Sequence, residues 1–144
     1  MFDFKFDWAP EMNMGIEELD LQNKELFRIG RDMEQLILAD CENVTDRQLL
    51  DIVCGLREYV NYHFYMEEKF MEDKGYSDYE THRQKHQIFQ EEILNIDCPE
   101  LSRKPKTELK KLKETVQDWV FQHVLVEDVK AVKEIKENNH RAET

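Results

Sequence analysis

Turn-forming residues are scarce, with four glycines and three prolines in 144 residues. That is too few breaks for a many-stranded β fold, so helices are expected. Cys41, Cys54 and Cys98 are odd in number, widely spaced and form no CxxC pair. They argue against a disulfide framework and suit a reduced, cytoplasmic interior. No stretch approaches the roughly 18 apolar residues of a membrane span. Met1 to Trp8 carries acidic residues every few positions, unlike a signal peptide. Positive charge is in deficit: 20 Lys and Arg against 32 Asp and Glu leave a net charge of −12. Such a surface repels phosphate backbones and anionic lipid, so neither nucleic acid nor a membrane is an expected partner. There is also no glycine-rich phosphate loop, no GxSxG turn and no Cys–His arrangement suited to nucleophilic catalysis.

What is present is helical periodicity. Ile16, Leu19, Asn23, Leu26, Gly30, Met33 and Ile37 step by three and four, the seam of a bundle helix ending near Asp40 to Asn43. Thr45-Asp46-Arg47-Gln48 reads as a capping box opening a second helix. Its seam is Leu49, Ile52, Leu56, Tyr59, His63, Met66 and Phe70, with Glu67 flanking, and Gly75 supplies its stop. Ser77-Asp78-Tyr79-Glu80 reads as a second capping box, before Tyr79, His82, His86, Phe89, Ile93 and Ile96. Pro99 and the Ser102 to Pro105 stretch form a connection to a fourth helix with Leu109, Leu112, Val116, Trp119 and His123. Short connections make sequential helices antiparallel, so the expected fold is all-α, an up-down-up-down four-helix bundle. Ahead of it, Phe2, Phe4, Phe6 and Trp8 alternate with Asp3, Lys5 and Asp7, the pattern of an extended arm with one buried side. The expected organisation is one free-standing domain: arm 1–14, bundle 15–138, frayed tail 139–144.

Four of the five histidines lie on seams that should carry Leu or Ile. Burying several imidazoles without partners costs a few kcal/mol each, so something should compensate. His63 and Glu67 are i,i+4, as are His82 and His86, so each pair projects from one helix face. At about 1.5 Å rise per residue these pairs and Asn23 fall roughly 8 to 15 Å from one end of the bundle, in a common layer. On the fourth helix the seam reaches His123 and resumes one residue late at Asp128. Five residues turn about 140° in an ideal helix, so a π-bulge would be needed to point both inward. Glu127 is the simpler i+4 partner of His123. Imidazoles with carboxylates are transition-metal ligands, with iron, zinc, manganese and copper all chemically possible. The groups outnumber the needs of one tetrahedral ion, which indicates two metals.

Nearly the whole chain resembles the bacterial hemerythrins. The resemblance is carried by Trp8, Gly15-Ile16, Leu19-Asp20-x-Gln22, His63-Phe64-x-x-Glu67-Glu68, His82-x-x-x-His86 and Trp119-x-x-x-His123-x-x-x-x-Asp128. It implies a non-haem di-iron centre binding O2, or a related small diatomic, reversibly and without turnover. By the resemblance His82, His86 and His123 hold one iron and His63 the second. Glu67 and Asp128 bridge the pair (Fe2+/Fe3+) together with an oxo or hydroxo group. The family pattern has His where this chain has Asn23, which can serve only as a weak or water-mediated ligand. That departure opens a second reading, an altered site with one metal or an asymmetric pair, acting as a redox or gas sensor or a weak oxidase or peroxidase. Asp20, Glu68 and Glu127 are candidate hydrogen-bond partners of the ligating rings. Phe27, Phe64, Phe89, Trp119 and Val120 are candidate walls.

Overall fold

A computed structural model of the chain describes residues 6–143, with side chains described through residue 139. Phe2 and Phe4 of the expected arm lie outside the described residues. Among the described residues every regular element is helical. After a 3-10 turn at Pro10–Met12 come α1 (Glu17–Leu38), α2 (Asp46–Glu58), α3 (Phe64–Asp73), α4 (Tyr79–Leu94), α5 (Cys98–Arg103), α6 (Pro105–Trp119) and α7 (Val129–Glu143). A π-helical turn at Tyr59–His63 joins α2 to α3 in one continuous rod, and a longer π segment, Val120–Asp128, joins α6 to α7. No described helix is long and apolar enough to cross a membrane.

Local chemistry sets most boundaries. Glu17, Glu18 and Asp20 place negative charge on the first turn of α1, where the helix dipole favours it. The Asp20 carboxylate also accepts from the backbone N–H of Met14 (2.8 Å) and Gly15 (3.1 Å), clamping the incoming chain. Gly15 sits at φ 86, which favours glycine. The Thr45 box forms as expected: its hydroxyl accepts from Gln48 N–H at 3.2 Å, and Gln48 Oε1 accepts from Thr45 N–H at 2.8 Å. Gly75, at φ 68, ends α3.

Four boundaries differ from expectation. α1 stops at Leu38, and Asp40, Cys41 and Asn43 take positive φ in the following turn. The Ser77 box does not form, because Ser77 is claimed from far away in sequence. Its N–H and hydroxyl both donate to Glu134, at 3.0 and 2.6 Å, and α4 is entered at Asp78 without a side-chain cap. The connection expected from Pro99 to Pro105 contains α5, capped by Asp97, which accepts from Glu100 N–H at 3.0 Å. α7 stays helical to Glu143, past the end expected at 138.

α1 packs on α2 and α6, α4 on α2 and α3, and α5 on α2 and α6. Asp40, just past α1, pairs with Lys106 at the start of α6, while Lys136 of α7 donates to the Met14 carbonyl at 2.8 Å, ahead of α1. The main apolar cluster (Leu26, Ile29, Met33, Ile52, Leu56, Ile93, Leu109 and Val116 among others) fills one part of the interior. Two smaller clusters lie apart from it, one with Met71, Tyr76, Ala131 and Ile135, the other with Met14, Leu19 and Val132. Phe6 is fully buried, its edge toward Phe27, and it donates its N–H to Glu34 Oε1 at 3.1 Å.

Candidate metal centre

His63, Glu67, His82, His86, His123 and Asp128 are each at most 2% exposed. Five of them, Glu67, His82, His86, His123 and Asp128, bring one donor atom each to within 4.8 Å of all the others. Glu67 stands at the centre. Its Oε1 lies 2.8 Å from His82 Nε2 and 3.1 Å from His86 Nε2. Its other oxygen, Oε2, lies 3.0 Å from His63 Nε2. Asp128 Oδ1 is 2.9 Å from His82 Nε2 and 3.0 Å from His123 Nε2. The three rings meet nitrogen to nitrogen, with His123 Nε2 3.0 Å from both His86 and His82. His63 thus faces one oxygen of Glu67 and the other three rings gather on the opposite side.

The rods create this convergence in different ways. α3 and α4 present Glu67, His82 and His86 from ordinary helical faces. His123 and Asp128 share a face because the Val120–Asp128 segment is π-helical, as their five-residue spacing required. The Tyr59–His63 π turn has no counterpart in the sequence reading. Its seam steps by three and four throughout, so periodicity carried no signal. It sets the Tyr59 ring flat on His63, with centroids 4.7 Å apart.

Outer partners fix which ring nitrogen faces inward. His63 Nδ1–H donates to Gln22 Oε1 at 2.6 Å, and His86 Nδ1–H to Glu68 Oε2 at 3.0 Å. Each Nε2 is then free to aim a lone pair at the carboxylates, the arrangement of a cation's ligands. Glu68 therefore has the role expected of it, whereas Asp20 serves the chain ahead of α1 instead. Glu127 pairs with Lys85 at 3.1 Å. Gln22 appeared in the sequence motif without an assigned role. Phe64 stacks on His86 at 4.0 Å, Trp119 on His123 at 3.9 Å and Phe89 on Trp119 at 4.4 Å. Val120 is fully buried. Phe27 packs instead against Phe6 and Trp8.

Protons alone satisfy these groups unevenly. Burial raises the Glu67 carboxyl, but the rings of His63, His82 and His86 set against it outweigh this and hold the pKa well below the usual range. Asp128 is driven well above its ordinary value by burial and then by the charge of Glu67. Burial lowers His82, yet the neighbouring carboxylates of Asp128 and Glu67 lift it to about 9. His123 falls to about 2, through burial and repulsion from His86. Both Asp128 oxygens, Glu67 Oε2 and His63 Nε2 remain buried without a well-formed hydrogen bond. A cation would satisfy them all. His123 Nε2 lies 3.0 Å from the Nε2 atoms of both His82 and His86, so three imidazole nitrogens converge as ligands of one ion do. The donor set therefore fits a metal.

Asn23 is fully buried beside this cluster. Its Oδ1 accepts from the Tyr59 hydroxyl at 2.8 Å, and its Nδ2 has no partner.

A helical protein with a buried histidine and carboxylate cluster suited to a cation is the class these features define. The sequence agrees: residues 14–135 match the family model described as the Hemerythrin HHE cation binding domain. The chain belongs to the hemerythrin family. It is 33% identical over 126 residues to a bacteriohemerythrin of Campylobacter jejuni subsp. jejuni, covering 88% of this chain and 92% of that protein. It is 25% identical over 123 residues to the bacteriohemerythrin of Clostridium acetobutylicum, covering 85% and 95% respectively.

Proposed function

We propose that this chain is a cytoplasmic, single-domain, non-haem di-iron protein that binds O2 or a related small diatomic reversibly and does not turn it over. In the same reading its four rods form an up-down-up-down antiparallel bundle. The observation that carries the proposal is the two-sided use of Glu67, with His82 and His86 on one oxygen and His63 on the other. His82, His86 and His123 would hold one iron and His63 the second, with Glu67, Asp128 and an oxo or hydroxo group shared. When bound, such an iron pair supplies the electrons by which a diatomic ligand is held and released.

The chain's own residues supply the rest. Gln22 and Glu68 orient His63 and His86. Phe64 and Trp119, lying flat on two of the rings, keep water and its protons from the cluster. Aromatic walls of this kind suit a site that holds and releases a ligand.

A second reading is favoured by Asn23, whose carbonyl is taken by Tyr59 where the family pattern has a histidine. The second position then has fewer protein donors, and the site becomes asymmetric, suited to redox or gas sensing or to weak oxidase or peroxidase chemistry. Metal content of protein purified without added metal tests both. Two irons per chain, with absorption that bleaches reversibly on deoxygenation, support the first reading. Fewer than two after mild dialysis, restored by Asn23→His, supports the second. A chain without iron overturns both.

A further inference from the structure

The Asn23 carboxamide is buried, held at one end and unpartnered at the other. Tyr59 is buried, and its hydroxyl donates to Asn23 Oδ1 at 2.8 Å. A planar amide whose oxygen is fixed has its NH2 group fixed too, pointing away from the donor that holds it. That NH2 lies in a dry interior without an acceptor, which costs about 1 to 3 kcal/mol unless something accepts from it. Asn23 is adjacent in sequence to Gln22, which holds His63, and its anchor Tyr59 lies flat on His63. The Asn23 carboxamide is thus on the His63 side of the cluster.

We propose that Asn23, oriented by Tyr59, is a hydrogen-bond donor that selects small anionic ligands at the His63 side, and not a metal ligand. An N–H group repels a cation but stabilises an anion whose far atom carries a lone pair. Tyr59 is a positioning residue: it turns the amide so that nitrogen, not oxygen, faces the site. The inference rests on the di-iron reading above and names the ligand class that the altered position favours.

Azide titration of the oxidised, iron-loaded protein, followed in the visible spectrum, tests this, with iron counted in every variant. Asn23→Leu removes the donor and Asn23→Asp puts an oxygen in its place. Both should weaken azide binding about tenfold or more, as expected for a hydrogen bond to a charged group. Tyr59→Phe keeps the ring on His63 but frees the amide to rotate, and should weaken azide binding by a smaller factor. Iron per chain should not change in Asn23→Leu, because no ligand is lost. If azide affinity stays within twofold of the parent in both Asn23 variants, or if Asn23→Leu sheds iron, the inference is overturned while the di-iron reading stands. A parent chain that holds no iron overturns both.

Discussion

Single side chains in this molecule are held by partners that leave one face free for another task. Gln22 and Glu68 occupy the outer nitrogens of His63 and His86, and so decide where the lone pairs point. Tyr76 shows the cost of a polar atom with no such partner. Its ring lies edge-on to His82, and its hydroxyl is buried and unpaired. Burial, reinforced by the charges of Asp78 and Glu134, lifts its pKa from 10.0 to about 12. The folded protein thus keeps this proton while the unfolded chain releases it, so stability should fall as pH rises through about 10 to 12. Urea midpoints across that range, at constant metal content, should decline less steeply in Tyr76→Phe. Equal slopes would show that the phenol is not held back by the fold.

Helix-level features follow from local chemistry where neighbours agree with it, and from long-range contacts where they do not. Thr45 caps α2 through its own box, whereas Ser77 is drawn off to Glu134 and leaves α4 without its expected cap. Gly30, in the interior of α1, is explained by packing: a Cβ there would overlap the Phe6 ring. Alanine is the better helix former by about 1 kcal/mol. Gly30→Ala alone should nevertheless lower the thermal midpoint by displacing Phe6. In a Phe6→Ala background the same change should stabilise by about 1 kcal/mol. A destabilising effect in both backgrounds would remove Phe6 as the cause. The two π segments are the costlier departures from regular helix, and each ends on a buried residue of the cluster, His63 or Asp128.

Across the whole molecule, the polar cluster sits in an interior whose remaining apolar groups fall into one large and two small clusters. Six buried imidazoles and carboxylates in contact are a liability without a cation, since their protons are shared unevenly. A metal that binds only the folded chain stabilises it by mass action. Chelation of the iron-loaded protein should therefore lower its melting temperature by about ten degrees, corresponding to a few kcal/mol at this size. An unchanged melting curve would mean that protons hold the cluster together well enough alone.

Periodicity, capping and spacing are local, so the chain alone determined the helical class, the start of α2, and the inward direction of His63, Glu67, His82 and His86. The five-residue step from His123 to Asp128 pointed to a π segment only if both faced inward, with Glu127 the simpler partner, and the structure has that segment between α6 and α7. Tertiary structure decided what depends on neighbours remote in sequence: Ser77 on Glu134, Gly30 beneath Phe6, and Tyr59 on Asn23. The π turn before His63 belongs there too, because the seam of threes and fours runs through it without the five-residue step that marks the other one. Which end of a planar amide faces a site is set by the proton donor across from it, and no pattern along one chain records that.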